Sequence, residues 1–464
     1  MKGKQVEDKE REKSGKIVIM GAYTMNTPAE EAMLTADLCK IKELIPNAQI
    51  IALSETPSYT TEKHQVESDY SMKYCLYQDK NFLQLLAKSF TIINLPCRIR
   101  NLILKLFGTG NNKRFFKLPT RLRAFLAGLP LLFNAKRFAR GKKLTFLSGN
   151  QRRLLNILSN CNLLFNSGGG NLNSLSMGDL YAYGLNYLIA KALNKPIILS
   201  AQTIGPFTNW FDRKFARYVL NRVDLITLRD KNFSVKVLKT LGVAKPLVAE
   251  AVDDALFLPP KDSKSILRIF EQEKIDVSHP LVAINIQDYS KSHKLVPVFA
   301  RTADHLIEEM NAQIIFIPMK CVQGDDDRVL ISRVRNVMKH KDKTDSITKT
   351  YDGSTLKGIL GQMDLVIGTR YHFIVFAGSM LVPLIGIFLN QYYLMKIKGI
   401  LEMLGQGGYC YSVEEASFEK LKSSIDSILL DGNDIKKQIK ARLETLRVQY
   451  LFAVKYAAKM LKQN

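Results

Sequence analysis

Acidic side chains are missing from a long internal stretch of this chain. Between Lys80 and Gly178 the sequence has no Asp or Glu, and the same 99 residues contain 17 Lys and Arg. The formal net charge is +24, so most of the excess positive charge lies in about a fifth of the chain. Such a concentration indicates either a negatively charged partner or a basic face turned to solvent.

Cysteine pairs are absent. The 6 cysteines are scattered, and no Cys-x-x-Cys occurs, which argues against a zinc site or a disulfide framework. Long hydrophobic runs are also absent. The longest uncharged apolar stretch, Phe373 to Leu389, has 17 residues and is interrupted by glycine and proline, whereas a membrane-spanning helix needs about 20. The first apolar run, Ile17 to Ala22, is short and follows a mixed-charge arm rather than a basic one, so we expect a cytoplasmic protein.

A chain of 464 residues, 46% hydrophobic and 24% charged, is too long for one ordinary core and predicts at least two domains. The best linker candidate is the pair Pro259-Pro260. The predicted division is a disordered arm at 1–15, an N-terminal α/β domain at 16–258 with a basic insertion at about 98–143, a C-terminal α/β domain at 261–412, and a helical tail at 413–464.

Short apolar runs alternate with helical patterns in both halves, which predicts an α/β fold. We expect two Rossmann-like domains in a GT-B-like arrangement, with the active cleft between them. The predicted strands are Lys16–Met20, Gln49–Leu53, Asn162–Asn166, Pro196–Ser200, Leu225–Leu228, Val248–Ala251, Leu281–Ile286, Ile314–Pro318, Leu365–Gly368 and Val382–Ile387. The predicted helices include Asp179–Leu193, Phe211–Asn221, Val296–Glu309, Phe373–Met380 and an amphipathic tail from about Val413 to Leu461.

The strand Leu365–Gly368 is followed at once by Arg370 and His372. Ligands of open α/β sheets bind beyond the carboxyl ends of the strands, so this turn places a fixed cation beside a titratable base where such folds bind ligands. The alternative is that both side chains only cap the next helix or pair with a carboxylate. Asp325 to Asp327 could bind a cation, but we expect a solvated loop there.

Three further features follow predicted strands. Gly168, Gly169 and Gly170 come after Asn162–Asn166, where backbone N–H groups could approach an anion or a sugar closely. A plain glycine turn would explain them equally well. Gln202 and Gly205 lie in a predicted loop after the strand that begins at Pro196, and Arg229 stands at the end of Leu225–Leu228.

The basic insertion allows three interpretations. Residues 98–143 carry 13 basic side chains interleaved with Leu, Ile and Phe, as in basic amphipathic helices that lie on anionic membranes. The segment could instead pack on the main domain with a solvated basic face, or grip an anionic polymer by charge. Because no motif of a nucleic-acid-binding module occurs, we expect no nucleic-acid partner.

An ordered set of motifs resembles the polysaccharide pyruvyl transferase family. The motifs are Gly168-Gly-Gly170, Gln202-x-x-Gly205-Pro206, Leu228-Arg-Asp-x-x-x-Ser234, Asp253 to Phe257 and Gly368-x-Arg-x-His372. The chain departs from the family pattern in several places. It has Arg370-Tyr-His372 where Arg-Leu-His is usual, Leu389-Asn-Gln-Tyr392 where Tyr-Asp-Pro is common, and an extra basic block at 98–143.

The resemblance implies transfer of an enolpyruvyl-derived unit from phosphoenolpyruvate to sugar hydroxyls of a surface polysaccharide or its lipid-linked precursor, with a pyruvate ketal as product. It implies His372 and Arg370 as catalytic residues, with His372 as general acid. It implies that Arg229, Gly168, Gly169, Gly170, Gln202, Gly205 and Asp253 bind substrate. No cofactor or metal is expected. A glycosyltransferase of GT-B type that uses a nucleotide sugar, and a lectin-like protein without catalysis, are the alternatives.

Overall fold

The computed structural model describes residues 15–23, 28–77, 120–145, 147–176, 178–230 and 232–463. Residues 1–14 of the predicted arm and residues 98–119 of the predicted insertion lie outside these ranges. Helices and strands are numbered below in chain order along the described residues.

The first sheet is parallel, with strand order β3-β2-β1-β4-β6-β7-β8 and β5 paired to β6. Apolar β1 lies at its centre, where Ile17 pairs with Ile50 on one side and Leu163 on the other. The chain order reverses between β1 and β4, which makes this the topological switch point. The strands are β1 Lys16–Met20, β2 Gln49–Ser54, β3 Glu67–Tyr70, β4 Leu163–Asn166, β5 Gly169–Leu172, β6 Ile197–Ile204, β7 Leu225–Leu228 and β8 Leu247–Glu250.

Helices cover both faces of the first sheet, because its central strands are apolar on both sides and need burial on each. The helix α5 begins with a capping box, in which Ser148 and Gln151 satisfy each other's backbone N–H groups. The helices are α1 Pro28–Leu44, α2 Pro57–His64, α3 Met72–Tyr77, α4 Thr120–Phe138, α5 Gly149–Asn160, α6 Asp179–Ala192, α7 Trp210–Leu220 and α8 Phe233–Leu241.

The second sheet is also parallel, in the order β13-β10-β9-β14-β15-β16. Its chain order reverses between β9 and β14, and the predicted turn with Arg370 and His372 follows β14. The strands are β9 Leu281–Asn285, β10 Gln313–Phe316, β13 Thr344–Ser346, β14 Leu365–Gly368, β15 Leu384–Phe388 and β16 Cys410–Ser412. A short antiparallel hairpin, β11 Cys321–Val322 with β12 Asp325–Asp326, follows β10.

The helices of the second half pack on this sheet, and a long helix ends the chain. A short 3-10 helix, Asp254–Phe257, leads from the first sheet towards the second. The helices are α9 Ser263–Glu273, α10 Leu295–Met310, α11 Asp327–Val337, α12 Gly353–Leu360, α13 Tyr371–Ser379, α14 Gln391–Met403 and α15 Phe418–Gln463.

The terminal helix α15 binds both halves together. Its N-terminal part contributes Leu421, Ile425 and Ile439 to the core of the second half. Its C-terminal part contributes Val454 and Ala457 to the core under the first sheet. One helix of 46 residues therefore spans the junction of the two halves.

The predicted fold class is confirmed, but several local predictions are wrong. Gln202 lies within β6 and not in a loop, and the segment from Gly169 onward is the strand β5 and not a free turn. Asp325 to Asp327 form a hairpin strand and a helix start, and Asp327 is fully buried rather than solvated. The polar edge strands β3 and β13 were not predicted, because their sequences lack an apolar run. The predicted domain boundaries stay a prediction. We propose them because Pro259-Pro260 lies in the chain between the last strand of the first sheet and the first strand of the second.

We predict that Ile439→Ala destabilises the chain by about 2–5 kcal/mol, because it leaves a cavity beneath α15. Ile439 is 0% exposed. The matched control on the same helix is Leu430→Ala, since Leu430 is 86% exposed and truncation there removes little buried surface. Chemical unfolding of the two variants measures the difference. Equal midpoints would show that α15 is not packed as described.

Candidate functional site

The candidate site is a cleft of about 210 Å³ between the two halves. The first half contributes the start of α1, including Glu30, and the second half supplies the remaining lining. These second-half residues are Met319, Lys320, Asp325, Arg370, Tyr371, His372, Tyr392, Tyr393 and Lys396. The cleft lies beyond the carboxyl end of β14, beside the switch point of the second sheet, where the fold favours ligand binding.

Arg370 lines the cleft but is held by carboxylates. Its Nε donates to Asp327 Oδ1 at 3.1 Å, its Nη2 donates to the same oxygen at 2.7 Å, and it also pairs with Asp325. Asp325 in turn accepts from Lys320 Nζ at 2.7 Å. The two acids therefore balance the charges of Arg370 and Lys320, and the fork of the guanidinium is fixed in place.

His372 lies two residues further along the same segment, at the start of α13. Its side chain is 11% exposed, and Nε2 lies 3.7 Å from Asp253 Oδ2. Among the described residues Nε2 has no hydrogen-bond partner. Burial lowers the pKa of His372 to about 3, although Asp253 opposes this shift. Burial of the imidazole therefore favours its neutral form.

Arg229 and Asp253 form a buried ion pair behind the cleft. The Arg229 guanidinium pairs with Asp253 Oδ2, and its Nε donates to Thr203 Oγ1 at 3.0 Å. Asp253 Oδ1 accepts from the N–H of Ala255 at 2.9 Å. Burial raises the pKa of Asp253, but the Arg229 guanidinium and His372 more than offset this and hold the pKa below its usual value. Arg229 faces Tyr371, 4.9 Å from its ring centre, and is not part of the cleft lining.

Lys396 is the cleft cation without a carboxylate partner among the residues the structure describes. Its Nζ donates to Tyr392 Oη at 3.3 Å and lies 4.8 Å from the ring centres of Tyr371 and Tyr392. Burial, together with the positive charge of Arg229, lowers the pKa of Lys396 to about 8. An unpaired, partly buried ammonium of this kind attracts an anion.

The three predicted glycines lie on the first-half side, close to the cleft. Gly170 allows Tyr392 to approach, because a Cβ there would overlap the tyrosine hydroxyl. Tyr392 Oη donates to the carbonyl of Gly170 at 2.9 Å and so joins the two halves. A Cβ on Gly168 would lie 3.1 Å from Asp254 Oδ2. Gly169 begins β5.

Gln202 and Gly205 are part of the framework. Gln202 is buried, and its Nε2 donates to the carbonyls of Ser167 and Ser200 at 2.7 Å each. Gly205 has φ +89°, a backbone conformation that residues with a side chain rarely adopt. Its neighbour Pro206 lines a different groove. The structure therefore brings Arg370 and His372 into the cleft and Asp253 against it, and it leaves Gln202 and Gly205 behind it.

A second buried charge cluster supports the glycine segment from below. Lys40 of α1 pairs with Asp37 at 2.7 Å and with Asp254 at 2.5 Å, and all three side chains are buried. Burial and the nearby Asp37 carboxylate raise the pKa of Asp254 well above its ordinary value. The described residues contain no group of three or more potential metal ligands.

Sequence reasoning missed Lys396, Tyr392 and Lys320. Lys396 and Tyr392 are four residues apart and therefore share one face of α14. The available signal was the departure at Leu389-Asn-Gln-Tyr392 from the expected motif after the last strand. Lys320 follows β10, and Arg370 follows β14. Both strands are neighbours of β9, so Lys320 occupies a position in the sheet equivalent to the one that indicated Arg370.

Comparisons with known proteins agree with the motif order. The family model for polysaccharide pyruvyl transferase matches residues 40–387, well over half of the chain. The amylovoran biosynthesis protein AmsJ of Erwinia amylovora is 22% identical over 282 residues, which cover 58% of this chain and 65% of that protein. The alignment thus spans less than two thirds of this relative.

Solved structures share the fold at low sequence identity. A glycosyltransferase from Rickettsia africae has a TM-score of 0.54 and 13% identity, with 97% of this chain and 98% of that chain covered. Alr3699/HepE of Anabaena, solved with UDP and glucose, has a TM-score of 0.55 and 12% identity over 97% and 100%. UDP-GlcNAc 2-epimerase from Neisseria meningitidis has a TM-score of 0.52 and 9% identity over 97% and 100%.

We predict that Arg229→Met and Asp253→Asn each destabilise the chain by about 3–5 kcal/mol, because each leaves one buried charge without its partner. The double variant should lose less than the sum of the two single losses, since neither charge then remains. Denaturant unfolding measures all three. As a control, Lys291→Met removes an exposed ion pair with Glu414 and should change stability little. A stable Arg229→Met variant would contradict this structural role.

Proposed function

The chain belongs to the polysaccharide pyruvyl transferase family, a family of transferases, and on that premise we propose that it moves an enolpyruvyl-derived unit from phosphoenolpyruvate to sugar hydroxyls. The proposed acceptor is a surface polysaccharide or its lipid-linked precursor, and the proposed product is a pyruvate ketal. The relative named for amylovoran biosynthesis supports a polysaccharide acceptor. The observation that carries the proposal is the unpaired Lys396 in a cleft beside His372 and Arg370.

The charges of the cleft suit a small donor with several negative charges. Lys396 has no carboxylate partner in the described residues, and Lys320 and Arg370 also line the cleft with their N–H groups. Phosphoenolpyruvate carries a carboxylate and a phosphate, which need donors at two ends. We propose that Lys396 binds one anionic group and that Arg370 with Lys320 orients the other.

The proposed proton donor is His372. Burial lowers the pKa of His372 to about 3, which favours the neutral imidazole at neutral pH. A bound donor brings negative charge next to the imidazole, and this charge raises the pKa towards the working range of a general acid. Asp253, 3.7 Å from Nε2, stabilises the imidazolium that then forms. Arg229 keeps Asp253 ionised.

The proposed reaction balances without a cofactor. A proton adds to the methylene carbon of the donor, and an acceptor oxygen forms a bond to the central carbon. The C–O bond to phosphate breaks, and phosphate leaves with the bonding pair. A second hydroxyl of the sugar then bonds to the same carbon. One of the two hydroxyl protons is accounted for by the new methyl group and the other by the released phosphate.

We also propose cytoplasmic, peripheral attachment at the inner face of a membrane. No helix in the described residues is long and apolar enough to cross a bilayer. The proposed attachment is to the surface of the membrane. The basic insertion at 98–143 is the proposed contact. Its described part includes the helix α4. A lipid-linked acceptor would be met more often by an enzyme held at the membrane.

Thermal stabilisation by candidate donors tests the proposal. Phosphoenolpyruvate at about a hundred times its Kd should stabilise the chain by about 2.7 kcal/mol, and UDP-sugars should not. His372→Ala should keep this stabilisation and lower acceptor-dependent phosphate release by about 10²–10⁴-fold. His279→Ala is the matched control, because His279 is exposed and precedes β9 at the opposite edge of the sheet.

Stabilisation by UDP-sugars in place of phosphoenolpyruvate would favour the glycosyltransferase alternative. Normal phosphate release by His372→Ala would remove this side chain from the proton transfer. Loss of donor-induced stabilisation in His372→Ala, with an unchanged fold, would instead assign His372 to binding.

We predict that donor affinity falls as the pH rises through about 8. Lys396 must be protonated to bind an anion, and burial lowers its pKa to about 8, whereas the donor phosphate is already fully ionised there. Lys396→Arg keeps its charge at all accessible pH values, so its affinity should no longer fall in this window. Lys396→Met should bind weakly at every pH. Isothermal titration between pH 7 and 9 measures the three profiles, and an unchanged fall in Lys396→Arg would contradict the assignment.

A further inference from the structure

The helix α7 turns large aromatic side chains outward on the first half of the protein. Trp210 is 66% exposed, Tyr218 52% and Phe211 43%. Trp210 and Tyr218 are eight residues apart and so lie on the same side of the helix. Together with the turn after α8 they border a groove of about 740 Å³. Exposed aromatic patches of this kind mark an interaction surface.

The same face is basic and has no compensating acid in the described residues. Arg213, Lys214 and Arg217 are exposed on α7, and within the part of the chain that the structure describes none of them pairs with a carboxylate. Asp212, the acid of this helix, is buried and accepts from Ser174 Oγ at 2.5 Å. Lys245 adds another cation at the rim of the groove. The surface thus fits an anionic partner.

Cations already cover aromatic rings on this face. Lys214 Nζ lies 4.3 Å from the ring centre of Trp210, and the Arg222 guanidinium lies 3.5 Å from that of Tyr218. Rings and cations therefore form one layer, with apolar ring edges beside charged groups. Amphipathic side chains of both kinds are typical of protein surfaces that lie at the headgroup level of a bilayer.

The α7 face and α4, the described helix of the basic insertion, lie in one helical layer. The helix α6 packs against α4 on one side, where Gly128 allows Leu185 to approach. It packs against α7 on the other side, where Gly184 allows Phe215 to approach. The described helix of the insertion and the α7 face therefore flank α6 on the same side of the first sheet.

A second groove is bordered by both α7 and α14. It has a volume of about 520 Å³ and is lined mainly by apolar side chains. Arg213 of α7 and Met395 of α14 both line it, and Met395 is next to Lys396 in the chain. The helix with the exposed aromatic residues and the helix that carries Lys396 therefore share one apolar groove.

We propose that the α7 face, formed by Trp210, Phe211, Lys214, Arg217, Tyr218 and Lys245, docks on an anionic lipid bilayer. The inference extends the peripheral attachment proposed above to a second surface, but it stands on these exposed residues alone. A second copy of the chain is disfavoured, because an isologous contact would place positive charge against positive charge. An acidic polysaccharide is disfavoured, because cations already occupy ring faces that sugars would need for stacking.

Trp210 makes the proposal directly measurable, since it is the only tryptophan of the chain. Vesicles that contain phosphatidylglycerol should shift the emission of the full chain to the blue, and lipids brominated on their acyl chains should quench it. Pure phosphatidylcholine vesicles should do neither. High salt should reverse the effect, because it screens charges at an exposed surface.

The variant Lys214→Gln/Arg217→Gln/Lys245→Gln should weaken partitioning into anionic vesicles by roughly 100-fold, since each surface charge contributes to binding. Lys264→Gln/Arg268→Gln/Lys349→Gln is the matched control. It removes three exposed cations that have no acid partner in the described part of the second half, and it should partition like the unmodified chain.

Three results would overturn the proposal. The first is flotation of the chain with anionic vesicles without a change in Trp210 emission, and with the α7 variant floating as well as the unmodified chain. This result would assign membrane attachment to the basic insertion instead. The second is absence of flotation altogether. The third is a blue shift with polygalacturonate, or with rising protein concentration in the absence of lipid, but not with vesicles. All three readouts are independent of enzymatic activity, so they do not depend on the identity of the donor.

Discussion

The buried ion pair of Asp253 with Arg229 lies where the two halves meet. Asp253 is 0% exposed, it pairs with Arg229 from the end of β7, and it faces His372 from the turn after β14. A buried charge is costly unless partners surround it, and Arg229, which belongs to the same half, supplies the compensating charge. The start of α13 packs against this pair, because Tyr371 hydrogen-bonds to Asp253 and its ring faces Arg229.

This constraint divides the cations of the site into two groups. Arg229 and Arg370 are each matched by carboxylates, and the planar fork of arginine suits such fixed pairs. Lys396 has no carboxylate partner among the described residues, and its pKa is lowered by burial to about 8. The arginines therefore shape the cleft, while the lysine leaves a positive charge that a donor can neutralise. The Lys396 charge is therefore available to an anionic ligand, whereas the charges of the two arginines are already balanced by carboxylates of the protein.

The sequence predicted the strands well, because buried parallel strands are short apolar runs between turn residues. It also predicted that Arg370 and His372 enter a cleft, since both follow a strand directly. It did not predict that Asp327 would hold Arg370 over a separation of 43 residues, or that Lys40 would pair with Asp254 over 214. Such pairs depend on which strands become neighbours, and no local periodicity carries that information. Gln202 was assigned to a loop because Gly205 and Pro206 follow it, although β6 continues through Gln202 to Ile204.

Positive charge acts at two ranges in this protein. In the cleft, the Lys396 ammonium has no carboxylate partner among the described residues and acts over a few ångströms, in surroundings that screen it weakly. On α7 and in the described part of the basic insertion, exposed cations act over about 10 Å of screened distance. The first sheet is connected to both sets of charges. The basic helices α4 and α7 pack with α6 on one face of this sheet, and β5 contacts Tyr392 at the carboxyl edge of the sheet. A shift of the first half against the second would therefore change the cleft, and the hydrogen bond from Tyr392 to Gly170 opposes that shift.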